Sequence, residues 1–182
     1  MDLFAEGGLV ENATAALLAL LAVILALRAA RAPRFWHLPV IAALLCMREL
    51  DLDKAAPYGI LKSRTYTGDA PLAFKLFGLA VIALILLCLW RLVRHGWGPF
   101  VAAWRAGRAW PGLTVAAVAM VVVAKSIDGL NRKLAPFGLS VGEDAAAFSV
   151  AAEETMELGF AALLVIAAVT AAMGTKRAAG RG

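Results

Sequence analysis

The sequence predicts an all-α integral membrane protein with about five transmembrane helices. Hydrophobic residues make up 62% of the 182-residue chain, charged residues only 17%, and the mean hydropathy is +0.79. Apolar segments close to span length recur along the chain, separated by charged or Gly/Pro-containing connections. This composition and spacing are typical of a multi-pass membrane protein. We therefore expect a single transmembrane domain over residues 1–182, without a separate soluble domain.

The charged ends of each apolar run set the limits of the predicted spans. A helix needs about 20 residues, at 1.5 Å each, to cross roughly 30 Å of hydrocarbon. The predicted spans are 8–28, 35–54, 72–91, 110–130 and 150–174. The fourth is apolar only as far as Ala124, so a full crossing has to include Lys125 and Asp128. Lys125 would then lie about 15 residues into the span, and we expect it to pair with a carboxylate from another helix. Acidic residues precede the first span, unlike the basic start of a signal peptide, so we expect the mature chain to begin at Met1.

The connection between the third and fourth spans is basic and aromatic. Trp97, Phe100 and Trp104 recur at helical spacing, with arginines around them. This pattern predicts a short amphipathic helix over 97–108 that lies on the inner leaflet and contacts anionic lipid. A surface that docks another protein is the alternative.

The distribution of charge predicts the orientation. Ten of the 18 Lys and Arg residues follow span one, separate spans three and four, or follow span five, and no Asp or Glu accompanies them. All 13 acidic residues lie on the other side, with the remaining eight basic residues. The positive-inside rule places the N-terminus outside and the C-terminus in the cytoplasm of a bacterial-type inner membrane. The acidic outer side is expected to attract cations.

Ionisable residues recur at one depth, near the outer ends of four predicted spans. Each costs about 2.5–3.5 kcal/mol on insertion scales, so these side chains should face one another or a wet cavity. The candidate ligand-binding residues are Glu11, Asn12, Arg48, Glu49, Lys125, Asp128, Glu154 and Glu157. Ion pairs that only fix helix packing are the alternative for most of them.

Other charged residues at this side are assigned to the membrane surface. We expect Lys75 to extend towards the headgroups from the first turn of span three. Asp51, Asp53, Glu143 and Asp144 are interpreted as solvated helix ends. Glu153 is interpreted in the same way, with membership of the charged group as the alternative, because it shares a helix face with Glu157.

The sequence predicts no metal site and no cofactor. Cys46 and Cys88 fall in different spans without CxxC spacing, which favours a role as buried small side chains. His37 and His95 lie at the basic ends of their spans, opposite the acids, so a histidine-based metal site is not expected. No nucleic-acid partner is expected either.

The glutamates that open the last span invite comparison with known membrane hydrolases. Glu153, Glu154 and Glu157 resemble the paired-glutamate motif of CAAX-type intramembrane metalloproteases, but Leu158 stands where that family has arginine. The pairs Glu11–Asn12 and Ser126/Asp128 resemble those of membrane ceramidase-type hydrolases, whose zinc-binding histidines are missing here. Neither family is assigned.

Three functions follow from the predicted charged cavity. The first is binding or movement of a small cationic or zwitterionic ligand, including a lipid headgroup. The second is a lipid-acting enzyme, with Glu157 as candidate general base and no further catalytic residue identified. The third is a non-catalytic subunit whose charges pair with a membrane protein partner or a second copy of the chain. Membrane lipids are expected partners in each case.

Overall fold

The computed structural model describes residues 8–52, 59–129, 133, 136 and 142–179. This part of the chain contains six α-helices and one 3-10 turn, and it has no strand. The helices are α1 (Leu9–Ala29), α2 (His37–Glu49), α3 (Ser63–Thr67), α4 (Leu72–Arg105), α5 (Ala109–Ile127) and α6 (Glu143–Ala179), and the 3-10 turn Pro33–Phe35 precedes α2. The predicted all-α fold class is confirmed.

Four helices of the described residues are long and apolar enough to cross a membrane. They are Leu9–Ala29, Leu72–Arg105, Ala109–Ile127 and the Ala147–Met173 part of α6. Helix α2 has 13 residues, about 20 Å of helix, and the 3-10 turn extends its helical stretch to 33–49. These lengths agree with a membrane-spanning helical bundle. The number of five spans and the orientation with the N-terminus outside remain predictions.

The core joins α1, α2, α5 and α6. Its buried side chains are Leu18 and Leu21 from α1, Ala42 from α2, Ala117 from α5, and Phe160, Ala161 and Ala168 from α6. Helices α5 and α6 pack most extensively, and they approach closely at Gly159, where a Cβ atom would meet the Met120 side chain. Small residues at helix contacts let backbones approach within membranes, where apolar side chains gain little by leaving lipid.

Contacts between the helices define two ends of the bundle. At one end Cys46 of α2 lies near the start of α1, and Lys125 of α5 lies near Glu153 of α6. At the other end Arg28 of α1 donates a hydrogen bond to the Ala168 carbonyl oxygen of α6 (2.9 Å). We call these the acidic end and the basic end. Helices α1 and α6 therefore run in the same direction, and α2 and α5 run against them.

Helix α4 lies outside this four-helix core and packs less extensively, against α2 and α5. A turn at Ala106–Arg108 joins it to α5, and Gly107 there has φ +63°. Glycine adopts this left-handed conformation without strain, and the Arg108 N–H donates to the Ala103 carbonyl oxygen (3.0 Å), which closes the helix end.

Some predicted boundaries differ from the structure or fall outside it. Residues 97–105, predicted to belong to a separate interfacial helix, continue α4 without a break, with Pro99 inside the helix. The predicted span ends at 53–54 and 130, and the chain ends 1–7 and 180–182, lie outside the described residues.

Candidate functional site

Lys125 of α5 is the centre of the charged group at the acidic end. Its Nζ donates a hydrogen bond to Glu153 Oε1 (2.8 Å) and lies 2.6 Å from Glu157 Oε1. Both carboxylates come from α6, one turn apart, so one ammonium bridges two successive turns of the neighbouring helix. The Glu157 side chain is only 9% exposed, while that of Lys125 is 35% exposed. The prediction that Lys125 pairs with a carboxylate from another helix is confirmed.

The C-terminal end of α5 fixes the position of Lys125. Asp128 Oδ2 lies 3.9 Å from Lys125 Nζ, and Gly129 (φ +59°) turns the chain away from the helix axis. Lys133 Nζ donates hydrogen bonds to the carbonyl oxygens of Lys125 (2.9 Å) and Ser126 (3.2 Å). A cation is favourable at this position because the last carbonyls of a helix lack partners and carry partial negative charge.

Helix α2 brings Arg48 and Glu49 to the same group. The Cys46 thiol donates a hydrogen bond to the Ala15 carbonyl oxygen (3.4 Å), so this end of α2 is held against α1. One turn of α2 spans Cys46 to Glu49, and the Glu49 carboxyl adjoins that of Glu157. Arg48 lies 3.8 Å from Glu157, but its side chain is 53% exposed and therefore faces outwards. Glu157 is thus reached by basic groups from two helices.

The remaining predicted residues surround this centre. Glu154 interacts electrostatically with Glu153 and Glu157 and with Glu11 of α1. Asn12 is exposed, and its side-chain amide donates to the Gly8 carbonyl oxygen (2.9 Å). Glu154 therefore belongs to the charged group and Glu11 lies beside it, while this hydrogen bond of Asn12 is local to the start of α1.

We call Arg48, Glu49, Lys125, Asp128, Glu153, Glu154 and Glu157 the ion-pair group. It contains five carboxyl groups and two basic groups, a formal excess of three negative charges. Counting the nearby Lys133 ammonium still leaves the acids in excess. Among the described residues, Glu49 and Glu154 form no ion pair with a basic side chain.

The structure adds Glu153 to the predicted site residues. Its interpretation as a solvated helix end is wrong, since its side chain is 16% exposed and accepts the Lys125 hydrogen bond. The sequence indicated that Glu153 and Glu157, four residues apart, share a face of the helix, but not that this face meets Lys125. Lys75 donates to the Gly68 carbonyl oxygen (2.8 Å) and so fastens the preceding loop.

The chemistry available at this site is that of carboxylates, one ammonium and one guanidinium. No described group of three or more His, Cys, Asp or Glu side chains has an arrangement that could hold a metal ion. Comparison of the chain with family models, curated proteins and solved structures finds no match. The function is therefore inferred from the geometry of the site itself.

Proposed function

We propose that this membrane protein binds a small cationic or zwitterionic ligand, including a lipid headgroup, at the ion-pair group. The observation that supports the proposal is the excess of carboxyl groups around Lys125. Five acids share two basic groups, and Glu157 is 7% exposed. We place the protein in a bacterial-type inner membrane with this end outside, since the ten basic residues without acids belong at the other end.

The physical reason is the cost of uncompensated charge in an apolar bundle. An ionised side chain at membrane depth is stabilised by a partner of opposite charge or by water. Lys125 is already shared by Glu153 and Glu157, so it compensates Glu49 and Glu154 only in part. A ligand ammonium group placed beside Glu49 and Glu157, whose carboxyl groups adjoin, would supply part of the missing positive charge.

Arg48 makes the same site suitable for zwitterions. Its guanidinium is half exposed and lies 3.8 Å from Glu157, where it marks the rim of the group. A guanidinium binds phosphate with two parallel hydrogen bonds. A phosphoethanolamine headgroup would then place its ammonium near Glu49 and its phosphate near Arg48.

The test measures ligand-induced stabilisation of the purified full-length chain in a neutral detergent. Ethanolamine and phosphoethanolamine are titrated, with sodium chloride at the same ionic strength as the reference. A ligand at ten times its Kd stabilises the folded state by about 1.4 kcal/mol, which gives a saturable rise in Tm. We expect that rise in the wild type and its loss in Glu157→Gln.

Two comparisons make the result decisive. Glu157→Gln should stay folded, because Lys125 keeps its hydrogen bond to Glu153. Asp69→Asn, which removes an exposed acid from the loop before α4, should respond like the wild type. Equal responses of the wild type and Glu157→Gln would reject the ion-pair group as the binding site.

The two alternative functions predict different results. A lipid-acting enzyme would chemically change lipid extracts incubated with the purified protein, with loss of product in Glu157→Gln. An assembly subunit would aggregate when expressed alone and become stable only with its partner. The binding function is favoured because Glu157 Oε1 contacts an ammonium at 2.6 Å, whereas a general base needs access to a substrate proton.

A further inference from the structure

The junction of α2 and α4 at the basic end contains buried nitrogen atoms without acceptors. His37, the first residue of α2, is 0% exposed, and its ring centroid lies 6.3 Å from that of His95 in α4. Neither ring nitrogen of His37, nor Nε of Arg91, has a hydrogen-bond partner in the described part of the chain. The one acceptor found beside these atoms in the described residues is the Arg34 carbonyl oxygen, which lies near the His37 ring and already accepts from Arg91 Nη2 (2.9 Å). Buried polar atoms are normally satisfied, so this junction lacks an acceptor.

The charges around the junction are all positive. Arg34 precedes α2, while Arg91 and Arg94 lie on α4 close to His95. Helix α2 begins without a side-chain cap, and its N-terminus contributes a further partial positive charge. The sequence has no Asp or Glu between residues 12 and 48 or between 70 and 127. The counter-charge therefore has to come from a group outside this part of the protein.

Aromatic side chains indicate which anion is available at this depth. The Arg91 guanidinium lies over the Trp36 ring (5.3 Å), and that of Arg94 lies over the Trp90 ring (5.8 Å). Trp90 is 55% exposed at the surface of α4. Tryptophan side chains are enriched at the headgroup level of a bilayer, and basic pockets between helices at the cytoplasmic side bind anionic headgroups.

We propose that the α2–α4 junction binds the phosphate of an anionic phospholipid. Arg91 and Arg34 supply guanidinium donors, and the His37 and His95 imidazoles lie next to Arg91. The acyl chains lie against the apolar surface of α4. This site is separate from the ion-pair group, because it lies at the other end of the bundle and binds the opposite charge.

Native mass spectrometry of the full chain in mild detergent tests the proposal. The protein is equilibrated with equal amounts of phosphatidylglycerol and phosphatidylcholine, and the lipids retained are counted. We expect one phosphatidylglycerol to be retained in preference to phosphatidylcholine. Arg91→Gln and Arg34→Gln should each weaken that retention about fivefold, the effect of one basic residue acting on an anionic headgroup.

Arg105→Gln is the matched control. It removes the same charge from the same helix, ten residues or about 15 Å beyond His95. A defined site is supported if Arg105→Gln retains phosphatidylglycerol within twofold of the wild type while Arg91→Gln and Arg34→Gln lose it. Equal losses in all three variants, or no preference for phosphatidylglycerol, would overturn it.

A phosphate titration and the Arg34 variant complete the test. Adding inorganic phosphate distinguishes the source of the anion, since displacement of the lipid by about 10 mM phosphate would assign the site to free phosphate and reject the lipid. If Arg91→Gln fails to fold, the lipid retention of Arg34→Gln decides whether the site exists. This variant should fold, because the Arg34 side chain is exposed and the substitution leaves the Arg34 carbonyl oxygen in place to accept from Arg91.

Discussion

Replacing Lys125 by methionine should destabilise the bundle, because it leaves the carboxylates of α6 without their ammonium. Glu157 is 9% exposed at its side chain and lies 2.6 Å from Lys125 Nζ. Removing one partner of a fully buried ion pair costs about 3–5 kcal/mol. Solvent reaches 35% of the Lys125 side chain, which lowers the expected cost to about 2–3 kcal/mol. Arg48 compensates little, since it is half exposed and 3.8 Å away.

A second substitution identifies which acid carries the penalty. Lys125→Met combined with Glu157→Gln should recover most of the lost stability, because the buried carboxylate is removed together with its partner. Lys125→Met combined with Glu153→Gln should recover less, since the Glu153 side chain is 16% exposed and water can solvate it. Asp128→Asn should recover least, because Asp128 lies 3.9 Å from Nζ and is 43% exposed.

The free energy of unfolding is measured by titrating mixed micelles with a denaturing detergent while far-UV circular dichroism follows helix content. Lys62→Met is the control, because Lys62 is an exposed lysine outside the ion-pair group and should change stability by less than about 0.5 kcal/mol. If no double variant is more stable than Lys125→Met alone, the interpretation of Lys125 as the central counter-charge is wrong.

Two further predictions concern helix packing and orientation. Gly159→Ala should change the free energy of unfolding by less than about 1 kcal/mol, because the new methyl group meets only the flexible end of the Met120 side chain, which can move aside, and alanine favours a helix over glycine. A loss of more than about 2 kcal/mol in detergent unfolding would show that Met120 cannot move and would contradict this expectation. For orientation, cysteines at the exposed Ser63 and Ala106, in a background with both native cysteines replaced by alanine, should differ in labelling by an impermeant maleimide on intact cells. Ser63→Cys should react and Ala106→Cys only after permeabilisation, and the reverse pattern would invert the orientation.

The sequence was sufficient to predict the fold class and that charged side chains of α2, α5 and α6 meet at the acidic end, but not the full set of residues that do so. Span length and hydropathy depend only on composition along the chain, so they predicted the apolar helices. Lys125 lay too far into its span to remain without a carboxylate, and this expectation also needed no structure.

Contacts that depend on helix rotation could not be predicted in the same way. Glu153 and Glu154 are neighbours in the chain, but only Glu153 contacts Lys125 with its carboxylate. Successive side chains of a helix point about 100° apart around its axis, so Glu154 does not face Lys125. The burial of His37 could not be predicted from the sequence either. Its burial follows from the position of α2 against α4, which hydropathy does not specify.

The length of α4 has a mechanical consequence for how the protein sits in a bilayer. Its 34 residues form about 51 Å of helix, whereas the 19 residues of α5 form about 29 Å, and a turn of three residues joins the two. If α5 crosses nearly upright, α4 has to lean by almost 40° to fit within about 40 Å of membrane including its headgroup layers, or bend near Pro99. Either geometry carries the last third of α4 sideways along the surface. A change in bilayer thickness would then alter the inclination of α4 more than that of α5.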